Sequence, residues 1–99
     1  YMNKRKEVYK YNPQRDTSKE KKLKVCREVD DFLRRRYLEI YSLPGQYLSI
    51  EKNSNLLIYH GKDICKDMYV EIQILPPDTK VPKELSDLLE SKGFVRIQK

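Results

Sequence analysis

The spacing of apolar residues changes at Pro44-Gly45, and that change most constrains the fold. Between residues 18 and 42, apolar residues recur at three- and four-residue steps, which is the spacing of one face of an α-helix. After Pro44-Gly45, apolar residues alternate with polar ones, as in a strand with one buried face. The helical positions are Leu23, Val25, Cys26, Val29, Phe32, Leu33, Tyr37, Ile40 and Tyr41.

Residues that favour helix ends flank the first segment. Thr17 and Glu20 have the spacing of a capping box, in which each side chain satisfies a backbone N–H of the first turn. Pro44-Gly45 is expected to stop the helix. The sequence therefore predicts a helix of about seven turns, from near Ser18 to near Ser42.

The rest of the chain predicts a sheet and a second helix. QYLSIE, LLIYH and MYVEIQIL read as three strands of an antiparallel meander, with Met68, Val70, Ile72 and Ile74 inward. Pro82 suits the start of a helix with a leucine stripe, Gly93 its end, and FVRIQ a fourth strand. The predicted fold is α+β in the order α-β-β-β-α-β, with both helices packed on a four-stranded, mainly antiparallel sheet.

The positive charge is concentrated at the N-terminus. The 99 residues carry a net charge of +6, and residues 1–24 hold nine cations against three acids, so the surplus lies there. Such asymmetry indicates a segment that contacts a polyanion. Residues 1–15 are predicted to be a basic flexible arm, either disordered or adding a short strand through EVYKY, and residues 16–99 a single domain.

Tyrosines and cations are interleaved in this arm. Tyrosine stacks on unpaired bases, while lysine and arginine neutralise phosphates. The favoured hypothesis is a non-catalytic domain that binds nucleic acid, DNA or RNA, with weak sequence preference and steep salt dependence. The predicted contact residues are Lys4, Arg5, Lys6, Tyr9, Lys10, Tyr11, Arg15, Lys21, Lys22, Lys24, Arg34 and Arg35.

A second hypothesis is a protein-interaction or dimerisation module. The order of long helix, meander and closing helix over residues 18–92 resembles the small coiled-coil-plus-sheet domains that end kinetochore and checkpoint proteins. That resemblance implies a protein partner or a homodimer. The contact surface would be the long helix or the outer face of the sheet, with Tyr47, Tyr59 and Tyr69.

A third hypothesis comes from a resemblance to the core of PD-(D/E)xK nucleases. Glu28 or Asp31 stands for the helix acid, Asn55 for the second-strand Asp, and Glu71-Ile72-Gln73 for Glu-x-Lys. Asn lacks the charge that a hard cation prefers, and Gln73 cannot act as a cationic Lys. The resemblance therefore implies a divalent-metal nuclease or an inactive descendant of one.

The sequence predicts neither a catalytic or metal site nor a cofactor. His60 is interpreted as a surface or capping residue, Cys26 as core, and Cys65 as an unremarkable thiol. No apolar run approaches the roughly 18 residues of a membrane span. We therefore expect a soluble intracellular protein with no membrane partner.

Overall fold

The computed structural model describes residues 5–37, 39–50, 56–61, 68–75 and 80–97. Within these ranges the chain forms two helices and a six-stranded antiparallel sheet. The α+β class is confirmed, whereas the predicted count of four strands is wrong. The elements are β1 Arg5–Tyr11, α1 Lys19–Arg36, β2 Glu39–Leu43, β3 Gln46–Ile50, β4 Leu56–His60, β5 Tyr69–Ile74, α2 Lys83–Ser91 and β6 Phe94–Ile97.

The additional strand β1 lies inside the sheet, whose order is β2-β3-β4-β5-β1-β6. Tyr9 is opposite Val70 on β5 and Arg96 on β6. The strand predicted through EVYKY is therefore confirmed. The prediction of a flexible arm is wrong for residues 5–11, because an inner strand forms backbone hydrogen bonds with the strands on both sides of it. The domain boundary after residue 15 stays a prediction.

The other additional strand, β2, replaces the end of the predicted long helix. Helix α1 ends at Arg36, and the following Tyr37 has an extended backbone. Ile40 and Tyr41 lie in β2, which pairs with β3 from Glu39 opposite Ile50 to Leu43 opposite Gln46. Pro44-Gly45 thus forms the turn of a hairpin instead of a helix stop, and the φ of +82° at Gly45 suits that turn.

Helix α1 begins one residue later than the capping box predicts. The side chain of Ser18, not that of Thr17, accepts the hydrogen bond from the backbone N–H of Lys21, at 3.3 Å. The carboxylate of Asp16 in turn accepts a hydrogen bond from the backbone N–H of Ser18, at 2.9 Å. Asp16 and Ser18 therefore fix the entry of the chain into α1.

One face of the sheet carries the core. Val70, Ile72 and Ile74 of β5 are buried as predicted, and they pack with residues of both helices. The helical members of this core are Val25, Cys26, Val29, Leu33, Leu85 and Leu89.

The opposite side of the sheet, called the open face below, has no helix on it in the described part of the chain. Strand register and alternation place on it Lys6, Val8, Lys10, Tyr41, Leu48, Ile50, Leu57, Tyr59, Tyr69, Glu71, Gln73, Val95 and Ile97.

Candidate binding surfaces

The residues predicted to bind nucleic acid lie on both sides of the sheet. Along β1, odd-numbered side chains face the helices and even-numbered ones the open face. Tyr9 and Tyr11 are only 3% and 6% exposed, so their predicted stacking on bases is wrong for this fold. Lys6 and Lys10 are exposed on the open face.

The remaining cations of the N-terminal segment have other surroundings. Arg5 forms an ion pair with the nearly buried Glu7, whose carboxylate also lies 3.4 Å from Arg96. Arg15 is exposed in the connection to α1, next to Gly93. Lys4 lies outside the described residues. Lys6 and Lys10 are therefore the cations of β1 whose side chains lie on the open face.

Two tyrosines, Tyr59 and Tyr69, also lie on the open face. Tyr59 pairs with Glu71 across β4 and β5, which makes Tyr69, two residues before Glu71, its diagonal neighbour. Lys10 is directly opposite Tyr69 on β1. Diagonal neighbours on adjacent strands lie about 7–8 Å apart, within reach of aromatic side chains. The face thus presents two central tyrosine rings beside a cation.

Polar and apolar groups surround this pair. Lys6 is opposite Gln73, whose amide donates a hydrogen bond to the Glu71 carboxylate at 3.0 Å. The most exposed large hydrophobic residues of the described chain are Leu23, Tyr41, Val95 and Ile97. Three of these four lie on the open face, Tyr41 on the edge strand β2 and Val95 and Ile97 on the opposite edge strand β6.

Tyr47 is not on the open face, contrary to the prediction. Its ring lies on the helix side, 5.9 Å from the His60 ring between centroids, and the Arg34 guanidinium lies 4.6 Å from its centroid. Tyr47 therefore packs between α1 and β4, while Tyr59 and Tyr69 occupy the outer surface as predicted.

The helix cations form a second surface. Glu20, Lys24, Arg27, Asp31, Arg34 and Arg35 are all exposed and fall within about 100° of one another around α1; we call this set the cationic stripe. The printed sequence gives it four cations and two acids. Lys21 is half-buried beside the stripe, whereas Lys22, also half-buried, lies on the opposite, core-facing side of α1.

Few contacts restrain the stripe. Among the described residues, Lys24, Arg27 and Arg35 form no ion pair. Leu23, predicted to belong to the apolar face of the helix, is instead 51% exposed at the margin of the stripe. Because α1 covers the other side of the sheet, the stripe points away from Lys6 and Lys10.

A buried polar network joins α1 to the sheet. His60, interpreted from the sequence as a surface or capping residue, is fully buried. Its Nδ1 lies 2.8 Å from Asp30 Oδ1 and its Nε2 lies 2.7 Å from Ser49 Oγ. No local sequence pattern predicts this network, because the three residues come from α1, β3 and β4.

Asp30, His60 and Ser49 are linked in the order of a hydrolase triad, but their surroundings do not suit catalysis. Ser49 is fully buried, and the cavity beside His60 has room for about one water molecule. Both ring nitrogens of His60 are engaged, so neither is available to a metal ion. No cluster of three His, Cys, Asp or Glu suited to a metal occurs among the described residues. The network is structural.

The nuclease-like residues are also separated by the sheet. Glu28 lies on α1, 3.3 Å from the Lys92 ammonium, and Asp31 is on the cationic stripe. Glu71 and Gln73 are on the open face, and Asn55 lies outside the described residues. Described residues therefore do not bring a helix acid and Glu71 to one metal ion.

No protein-family model, curated protein sequence or solved structure matches this chain significantly. In the described part of the chain, neither helix has both the length and the apolar character needed to cross a membrane.

Proposed function

We propose that the open face binds single-stranded nucleic acid and that the domain performs no catalysis. The observation that carries this proposal is the arrangement of Tyr59 and Tyr69 on the two central strands, with Lys10 directly opposite Tyr69. The proposal therefore rests on different tyrosines from Tyr9 and Tyr11, which are buried.

The side chains of this face are chemically complementary to the bases and phosphates of an unpaired strand. Each base has an exposed ring face that stacks on an aromatic side chain, which contributes roughly 1–3 kcal/mol per base. Lys6 and Lys10 lie on the neighbouring strand, where their ammonium groups can neutralise phosphates of the same ligand. Stacking and phosphate contacts depend little on base identity, so we propose weak sequence preference.

The test is fluorescence anisotropy with labelled single-stranded DNA and RNA over a salt series. Lys6→Gln/Lys10→Gln is compared with Lys80→Gln/Lys83→Gln, which removes equal charge outside the open face. The first variant is expected to bind more weakly and to lower the magnitude of the salt slope by about 1.4, at roughly 0.7 per phosphate contact. The second should keep the wild-type slope. Equal losses in both variants, or no wild-type binding at low salt, would contradict the proposal.

Deleting the N-terminal segment cannot serve as this test. A chain that begins at Asp16 lacks β1, and with it two core tyrosines and the pairing partner of both β5 and β6. Loss of binding by such a chain would report unfolding. Single side chains on β1 have to be changed instead.

A protein partner is the second candidate for the same face. The exposed Val95 and Ile97, which are neighbours on the edge strand β6, favour it, because exposed apolar patches mark sites of protein interaction. Sedimentation of the wild type and of Val95→Glu separates the two proposals. A wild-type dimer that Val95→Glu dissociates, together with no affinity for nucleic acid, would replace the first proposal by this one.

A further inference from the structure

Two cationic surfaces lie on opposite sides of this domain. Lys6 and Lys10 project from the open face, whereas the cationic stripe is on the outer side of α1, beyond the core. A ligand on one surface would have to pass around an edge of the sheet to reach the other. A short polyanion on one surface therefore cannot contact the other surface as well.

The stripe differs from the open face in its chemistry. From Lys24 to Arg35 it extends for about 17 Å, at a rise of roughly 1.5 Å per residue. Its six members are cations and acids, with no aromatic ring on which a base could stack. The stripe can thus neutralise phosphates. It has no aromatic side chain on which an unpaired base could stack.

A duplex matches these properties better than a single strand does. Its bases are already stacked inside, and it presents about ten phosphate charges in roughly 17 Å of its length, at one charge per 1.7 Å. Lys24, Arg27 and Arg35, which form no ion pair among the described residues, are the cations that can turn towards them. Glu20 and Asp31 reduce the charge of the stripe to a net +2, so the contact is weak and sensitive to salt.

We propose that the cationic stripe binds the phosphate backbone of a nucleic-acid duplex while the open face holds a single strand. One molecule then bridges a duplex and an unpaired strand. The bridging rests on the function proposed above for the open face, whereas duplex binding by the stripe does not depend on it.

The bridging is tested with a donor-labelled single strand and an acceptor-labelled duplex of unrelated sequence. With the wild-type chain, energy transfer between the two labels is expected to rise. Excess unlabelled duplex should abolish the energy transfer while the single strand stays bound, as judged by its anisotropy. If unlabelled duplex releases the single strand, the two ligands share one site and the inference is wrong.

Variants assign each ligand to its surface. Lys24→Gln/Arg27→Gln/Arg35→Gln is expected to weaken duplex binding at least ten-fold and to leave single-strand binding within two-fold. Lys6→Gln/Lys10→Gln, which removes two charges on the opposite side of the sheet, serves as the control for lost charge and should change duplex binding less than three-fold. Circular dichroism checks that each variant is folded.

The outcomes separate the two proposals. Unchanged duplex affinity in the stripe variant overturns the inference, whatever the single strand does. If the stripe variant binds the duplex more weakly while Tyr59→Leu/Tyr69→Leu binds the single strand with wild-type affinity, duplex binding by α1 is supported. In that case the function proposed for the open face fails, and the bridging fails with it.

Discussion

Nδ1 of His60 lies 2.8 Å from Oδ1 of Asp30, and this contact ties strand β4 to helix α1. Since an ionised carboxylate only accepts hydrogen bonds, Nδ1–H is the donor. Nε2, 2.7 Å from the Ser49 hydroxyl, extends the connection to β3.

Breaking the Asp30–His60 contact is expected to be costly. Asp30→Ala leaves a buried donor without its partner and should lower the free energy of unfolding by about 2–4 kcal/mol. The control is Glu28→Ala on the same helix, which breaks a more exposed ion pair with Lys92 and should cost at most about 1 kcal/mol. Urea unfolding measures both. Equal costs would show that the His60 network does not stabilise the fold.

Gly61 is expected to tolerate no side chain. Its φ is +76°, and a Cβ there would lie 2.6 Å from Tyr47 Cδ2. Gly93 has a φ of +98°, and its Cβ would lie 3.1 Å from Arg15 Nε and 3.2 Å from Tyr11 Cε1, which is tight but less severe than the contact at Gly61. Both alanine variants carry backbone strain of about 1 kcal/mol, and only Gly61→Ala adds the clash. Its unfolding midpoint in urea should therefore be clearly lower than that of Gly93→Ala; a matching midpoint would contradict the packing around Tyr47.

Stability should fall in alkaline solution because of Tyr9. Burial, and then the negative charge of Glu7, raise the pKa of the Tyr9 hydroxyl above its ordinary value of 10.0. Above that pH the unfolded chain loses the Tyr9 proton while the folded chain keeps it, so the free energy of unfolding decreases as pH rises. Urea unfolding between pH 8 and pH 11 should show a smaller decrease for Tyr9→Phe than for the wild type. If the free energy of unfolding of the two proteins falls in parallel with pH, groups other than Tyr9 cause the loss of stability in alkaline solution.

The sequence predicts the elements whose pattern is local. Strands β3 to β6 and helix α2 follow from alternation, turn residues and a leucine stripe, and the inward set on β5 is confirmed. Strand β1 is harder to recognise, because Arg5 and Glu7 occupy positions on its core-facing side and form an ion pair there. In β2, Ile40 and Tyr41 continue the helical spacing by coincidence, and the pairing with β3 decides the structure instead.

The candidate sites depend on contacts that are distant in sequence. The position of β1 between β5 and β6 puts Lys10 opposite Tyr69 and hides Tyr9, and nothing near Lys10 in the sequence specifies that position. The same non-local pairing places the helix cations on the other side of the sheet. Composition indicated a polyanion as ligand, but it could not show that the cations form two surfaces.

The central claim is that Tyr59 and Tyr69 stack on unpaired bases, and anisotropy of a labelled single strand tests it most directly. Tyr59→Phe/Tyr69→Phe keeps both rings, while Tyr59→Leu/Tyr69→Leu keeps apolar bulk and removes them. At one salt concentration, the Phe variant should bind within two-fold of the wild type. The Leu variant should bind at least ten-fold more weakly, since each lost stack costs roughly 1–3 kcal/mol. If the Leu variant binds as tightly as the Phe variant, the open face is not a stacking surface and the proposed function is wrong.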